Sequence, residues 1–107
     1  MPTEYNCEIA KIQSTFLGFE DHGILTGFLH VTYGGSGQGV GGYPIRARAG
    51  LYIQRTLKAC GVSSWEKLVG RTIYVLTDET RRVVGIENLP TEPGERFLFT
   101  ELEDEEN

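Results

Sequence analysis

Cysteine is scarce in this chain, with only Cys7 and Cys60 among 107 residues. Two are too few for a disulfide framework, so reduced thiols in a cytoplasmic protein are expected. Histidine is equally sparse. His22, His30 and Cys7 form none of the close pairs, Cys-x-x-Cys or His-x-x-x-His, that announce zinc, so neither a metal nor another cofactor is expected. No apolar run approaches the roughly 20 residues that cross a bilayer. Met1-Pro2-Thr3-Glu4-Tyr5 has neither the basic nor the apolar region of a signal peptide. Catalytic signatures are missing as well. Ser14, Thr15 and Ser36 lack a visible base, and Gly34-Gly35-Ser36-Gly37 has the wrong spacing for a nucleophile elbow. A Cys60–histidine pair has no local sequence behind it, and Glu20-Asp21-His22 reads as a solvated turn. No enzyme is expected.

Excess positive charge is also absent. The net charge is −5, yet five acids (Glu101, Glu103, Asp104, Glu105 and Glu106) crowd the last seven residues, and without them the body is neutral. That balance disfavours binding duplex nucleic acid through the whole surface, which needs a basic footprint. Residues 101–107 read as an acidic tail, either a solubilising terminus or a segment that docks on a basic partner. Residues 1–100 read as a single domain with one modest core.

Glycine, in contrast, is concentrated. Between Tyr33 and Tyr43 lie Gly34-Gly35-Ser36-Gly37-Gln38-Gly39-Val40-Gly41-Gly42, six glycines in nine positions. Each loses more backbone freedom on folding than any other residue, so the run needs a compensating reason. Gly37-x-Gly39-x-x-Gly42 formally matches a dinucleotide fingerprint, but Tyr43-Pro44 follows where a helix should open, and no Gly-Lys-Ser/Thr of a phosphate loop is present. Three readings of the run as a loop stay open. Its glycines serve geometry alone; or its N–H groups form an anion-binding nest assisted by Arg46 and Arg48, with Tyr33 and Tyr43 stacking on a base; or it is a protein-contact surface anchored by the two tyrosines. The candidate binding residues are therefore Tyr33, Ser36, Gly37, Gln38, Gly39, Tyr43, Arg46 and Arg48.

Along the rest of the chain, Asn6–Leu17 reads as a strand with a bulge, carrying Ile9, Ile12 and Phe16. Ile24–Tyr33 reads as a second strand, with Leu25, Gly27, Leu29 and Val31 on one face and Ile24, Thr26, Phe28, His30 and Thr32 on the other. The two pair as a hairpin through the turn at Gly23. Leu51–Cys60 reads as a helix that buries Leu51, Tyr52, Thr56, Leu57 and Cys60, turns Gln54, Arg55 and Lys58 outward and ends at Gly61. Trp65-Glu66-Lys67-Leu68 is a short helical turn. Arg71–Thr77 and Arg82–Glu87 form a second hairpin, and Phe97-Leu98-Phe99 a last edge strand that would favour a homodimer. The order β-β-α-β-β predicts an α+β fold, a small antiparallel sheet or partly open barrel with one main helix.

Two strings, Glu20-Asp21-His22-Gly23-Ile24-Leu25 leading to Tyr33-Gly34-Gly35-Ser36-Gly37-Gln38-Gly39, and Ser64-Trp65-Glu66-Lys67-Leu68-Val69-Gly70-Arg71, together resemble a set of small, mostly uncharacterised proteins encoded in bacteriophages and prophages. The resemblance spans about residues 12–88. It implies an origin in a phage and, by analogy with small acidic phage proteins, a stoichiometric inhibitor of a host factor such as a defence system. The expected partner is a host protein in the bacterial cytoplasm. A nucleotide-like anion held by the glycine run, as in a sponge for a signalling nucleotide, is the alternative.

Overall fold

A computed structural model describes residues 5–44, 48–89 and 95–102. It is an α+β fold: one antiparallel six-stranded sheet with a single main helix on one of its faces. The strands are β1 (Asn6–Phe19), β2 (Leu25–Tyr33), β3 (Ser36–Pro44), β4 (Thr72–Thr77), β5 (Val83–Glu87) and β6 (Phe97–Leu98), in the spatial order β3-β2-β1-β4-β5-β6. The helix α1 (Ala49–Cys60) connects β3 to the second half of the sheet. Among the described residues no helix is long and apolar enough to cross a membrane.

One element departs from the sequence reading. The glycine run is not a loop. Gly34 and Gly35, with φ of 59° and 81°, close a two-residue turn, and the chain returns from Ser36 as a strand along β2. Two successive positive φ values suit the right-handed twist of a hairpin and are open to Gly-Gly at no steric cost. The ladder runs from Tyr33↔Ser36 to Thr26↔Pro44, with an irregularity between Gly27 and Phe28 that leaves Gly42 without a partner across the ladder. The order is thus β-β-β-α-β-β-β, with the extra strand placed at an outer edge.

The alternation expected for β2 holds from Phe28 to Thr32, whereas Thr26 and Gly27 are both buried. Leu29 and Val31 are buried, while His30 and Thr32 are exposed. In β1 the predicted bulge lies between Ile12 and Ser14. Before it Ala10 and Ile12 are buried and Ile9 is 63% exposed on the opposite side; beyond it the parity reverses, so that Thr15 opposes Leu29 on the inner face and Phe16 opposes Phe28 on the outer one. The core forms between this inner face and α1, where Ile73, Val75, Ile86 and Phe97 meet Tyr52, Ala59 and Cys60. Burial of such a face is the main stabilising term of a domain this size.

The helix ends where expected. Gly61 is left-handed at φ 70°, its N–H donates to the Lys58 carbonyl (3.3 Å), and the Val62 N–H reaches Leu57 O (3.1 Å). The helix begins at Ala49, two residues before the predicted start, and its buried residues are Tyr52, Thr56, Ala59 and Cys60. Trp65 packs against Tyr52, with ring centroids 6.1 Å apart, and its Nε1 donates to Thr15 Oγ1 at 3.0 Å.

Arg55 corrects the sequence reading. It does not turn outward but lies half-buried over the Phe97 ring, 5.6 Å from its centroid. Its Nε donates to Glu101 Oε1 at 2.9 Å, and its terminal nitrogens reach Glu101, Glu95 and the Arg96 carbonyl. Glu101, assigned to the acidic tail, therefore ties the C-terminal segment to α1. The remaining tail acids lie outside the described residues. The edge expected at Phe97–Phe99 is only two residues long, and Phe97 and Phe99 point into the core. The long edge is β3.

Candidate functional site

Position in the β2–β3 ladder sorts the predicted site residues onto two sides of one strand. Directly opposed residues share a face. Ser36, Gln38 and Val40 oppose Tyr33, Val31 and Leu29 and so lie on the inner, helix-bearing side of the sheet; Val40 is buried. Gly37, Gly39 and Gly41 oppose Thr32, His30 and Phe28 and lie on the outer side. The Tyr33 hydroxyl donates to Gln38 Oε1 at 2.9 Å, so these two residues hold each other across the hairpin. Tyr43 pairs with Gly27 through its backbone. Arg48 is the N-cap residue of α1 and is already engaged within the chain, whereas Arg46 lies outside the described residues.

The hydrogen-bonding pattern follows from the turn. In a two-residue hairpin the residues flanking the turn, Tyr33 and Ser36, exchange both backbone hydrogen bonds, and bonded pairs then alternate with non-bonded ones. Gln38 and Val40 therefore spend their N–H and C=O groups on β2. Gly37, Gly39 and Gly41 aim theirs away from β2, at the free edge. No described strand pairs on that side, and residues 34–39 are all exposed. A strand alternates its N–H groups, so this run does not present the consecutive N–H groups that an anion nest requires.

On the outer face, next to these bare glycines, lie side chains that the sequence reading did not select. The Phe16 and Phe28 rings stack with centroids 5.5 Å apart and planes 22° apart, and His30 meets Phe28 edge-on at 6.1 Å. Phe19, 71% exposed, joins Phe16, Phe28, Glu20, Asp21 and His22 around an open cavity of about 330 Å³. The period-two pattern that placed Phe28 and His30 opposite Leu29 was the signal for this shelf. What burial Glu20 has pushes its carboxyl up, but the His22 backbone N–H, the His22 ring and the Ile24 N–H more than offset it and hold it below the usual carboxylate range.

A second cavity, about 360 Å³, opens where the sheet curls and the β2–β3 turn nears the β4–β5 turn; Asn6, Glu8, Tyr33, Gly34, Thr77 and Arg81 line it. Arg81 sits there at φ 68°, in a turn that Asp78 organises by accepting from the N–H groups of Thr80 (2.9 Å) and Arg82 (3.0 Å).

The described residues bring no three potential metal ligands together. Cys7 is exposed on β1, and His22 and His30 lie in the β1–β2 turn and on the outer face. Cys60 is the last residue of α1 and is buried in the core on the other side of the sheet. Burial pushes its thiol up to about 12, only partly countered by the nearby Arg71 charge, which keeps it a neutral packing group. A thiol titration with an aromatic disulfide at pH 8 should accordingly count one reactive cysteine in the native protein and two in denaturant. Cys7→Ser should remove the native signal. Rapid native reaction of both thiols would contradict this burial.

Comparison with family models, with curated proteins and with solved structures finds no match to this chain.

Proposed function

We propose that this is a non-enzymatic binding protein that captures an extended segment of a protein partner along the free edge of β3. The observation that carries the reading is that the fold does not require glycine at positions 37 and 39. Neither has a positive φ. A Cβ at Gly37 would approach nothing closer than 3.9 Å, and one at Gly39 only Phe28 Cδ1 at 3.9 Å. Glycine inside a strand destabilises it by roughly 0.5–1 kcal/mol relative to alanine. Where packing gives no return for that loss, close approach of another backbone is the physical reason left. Strand addition is that approach: main-chain hydrogen bonds supply affinity, and side chains on alternate positions supply choice.

The resemblance of the strings around Glu20–Gly39 and Ser64–Arg71 to phage and prophage proteins supports placing the partner in the bacterial host cell, with inhibition of a host factor as the effect. The nucleotide-sponge reading has less behind it, since the glycine run forms a ladder that does not present consecutive N–H groups. A second copy of the chain could also add along β3, and size-exclusion chromatography separates that outcome from a foreign partner.

The test uses two variants at one position. Gly39→Lys adds a charged gatekeeper to the edge, and Gly39→Pro removes an outward N–H that β2 does not use. Both should fold, with Gly39→Lys melting within a few degrees of the parent, and both should lose the protein that the parent captures from a bacterial lysate. In the parent complex, the Gly37 and Gly39 amides should become protected from hydrogen exchange. Retention of the partner by both variants, or unprotected glycine amides in the complex, would refute strand addition.

A further inference from the structure

We infer that the outer-face cavity bounded by Phe16, Phe19, Phe28, Glu20 and Asp21 is a site for an arginine side chain, carried by the partner segment that pairs with β3. The inference rests on the strand-addition reading for how the side chain arrives, but the site stands on its own geometry.

Strands lie about 4.8 Å apart, so a segment added outside β3 has its backbone about 10 Å from β2. In an ordinary sheet the side chains of the intervening strand would fill that space. Here the outer-face positions of β3 nearest Phe28 are Gly39 and Gly41, and Gly39 leaves its surface bare. A side chain from the added strand can lie flat across the glycines, and only a long stem reaches the rings beyond them.

What waits there selects a cation. The stacked Phe16 and Phe28 rings offer a face, and the ring quadrupole draws a guanidinium to it. Glu20 and Asp21 border the same cavity. Glu20 is occupied by the N–H groups of its own turn, whereas no described residue engages Asp21, which leaves that carboxylate available to an incoming donor. Arginine suits this pairing better than lysine, because its planar group stacks on an aromatic face and presents a fork of donors to a carboxylate at the same time. The chain's net charge of −5 favours the same sign of partner.

The probe is Nα-acetylargininamide, titrated into the isotope-labelled protein and followed by NMR, with Nα-acetylcitrullinamide as its neutral isostere. The arginine compound should shift the Phe16, Phe28 and Asp21 amides in a saturable way, its side-chain methylenes should move upfield over the rings, and citrulline should bind at least fivefold more weakly. Asp21→Asn, an exposed turn substitution, should erase most of the difference between the two compounds; Phe28→Leu should remove the upfield shifts. Equal binding of both compounds, or shifts located elsewhere, would overturn the proposal. That failure would leave strand addition untouched. Failure of the Gly39 variants with arginine binding intact would instead remove the strand and keep the pocket.

Discussion

Gly27→Ala should destabilise the protein by about 2 kcal/mol, within the range for overpacking a filled core. A Cβ at Gly27 would lie 2.6 Å from Cε2 and 3.0 Å from Cζ of Tyr52. The ring cannot swing away. It is fully buried, it touches Trp65 on one side, and Phe97 stands edge-on to it at 6.2 Å. The sequence therefore holds Gly27 on the inner face for a reason unlike that of its neighbours in β3: an aromatic ring occupies the space of its missing side chain. Tyr52→Ala should cost more, about 4 kcal/mol, because the cavity left between helix and sheet collapses only in part. A double-mutant cycle decides whether contact is the cause. With Tyr52 already shortened to Leu, Gly27→Ala should lose most of its effect in urea denaturation. Additive losses would show that the alanine acts through the strand backbone and not through the ring.

Removing the Arg55 side chain is the second large change. Arg55→Ala should cost about 2 kcal/mol, since it strips charge-assisted hydrogen bonds from Glu101 and Glu95 and uncovers Phe97. The figure stays below that of a fully buried pair because both acids are partly solvated. The clamp also carries a pH signature. Burial pushes the Glu101 carboxyl up, but the hydrogen bonds from Arg55 and from the Leu98 N–H, with the Arg55 charge, outweigh it and leave the group below its usual range. A folded-state value below the unfolded one stabilises the protein fully above the ordinary carboxylate range, and that gain is lost as pH falls through the folded value. Urea midpoints should therefore drop below about pH 4.5. Glu101→Gln should be less stable at pH 7 and show a shallower acid slope. Glu20 and Asp78, also held low by hydrogen bonds, contribute to the slope that remains. An unchanged acid slope in Glu101→Gln would mean that the Glu101 charge does not contribute to the clamp, leaving Arg55 held by Glu95, the Arg96 carbonyl and Phe97.

Much of the architecture could be read along the chain, because local rules and tertiary contacts agreed there. The β1–β2 hairpin, the presence of a bulge in β1 though not its position, the helix stop at Gly61 and the β4–β5 hairpin are all set by period-two alternation or by one turn residue. β3 escaped for a definite reason. Glycine has low strand propensity and no side chain to alternate, so a strand built on Gly37, Gly39 and Gly41 carries almost no hydrophobic pattern. The clue was the Gly34-Gly35 pair directly after a strand, a two-residue turn that obliges the chain to run back beside it. Arg55 was misread because its spacing put it on the polar side of α1, and its partners come from residues 40 or more positions away. The aromatic shelf was half legible: Phe28 and His30 were placed on one face, but Phe16 joins them only through the register shift in β1.

The bare edge of β3 has a consequence for the protein in solution. Most proteins guard an open strand with lysines, prolines or a covering loop; the exposed turn-proximal stretch of β3 carries no lysine or proline, and no described strand pairs along it. Mutual repulsion between copies works against such pairing, and it comes from a surplus of carboxylates that shrinks as the pH falls toward about 5, the isoelectric range set by the composition. Colloidal stability and an uncovered strand are thus coupled here: the acidic composition that says little about chemistry opposes pairing between copies along the exposed edge.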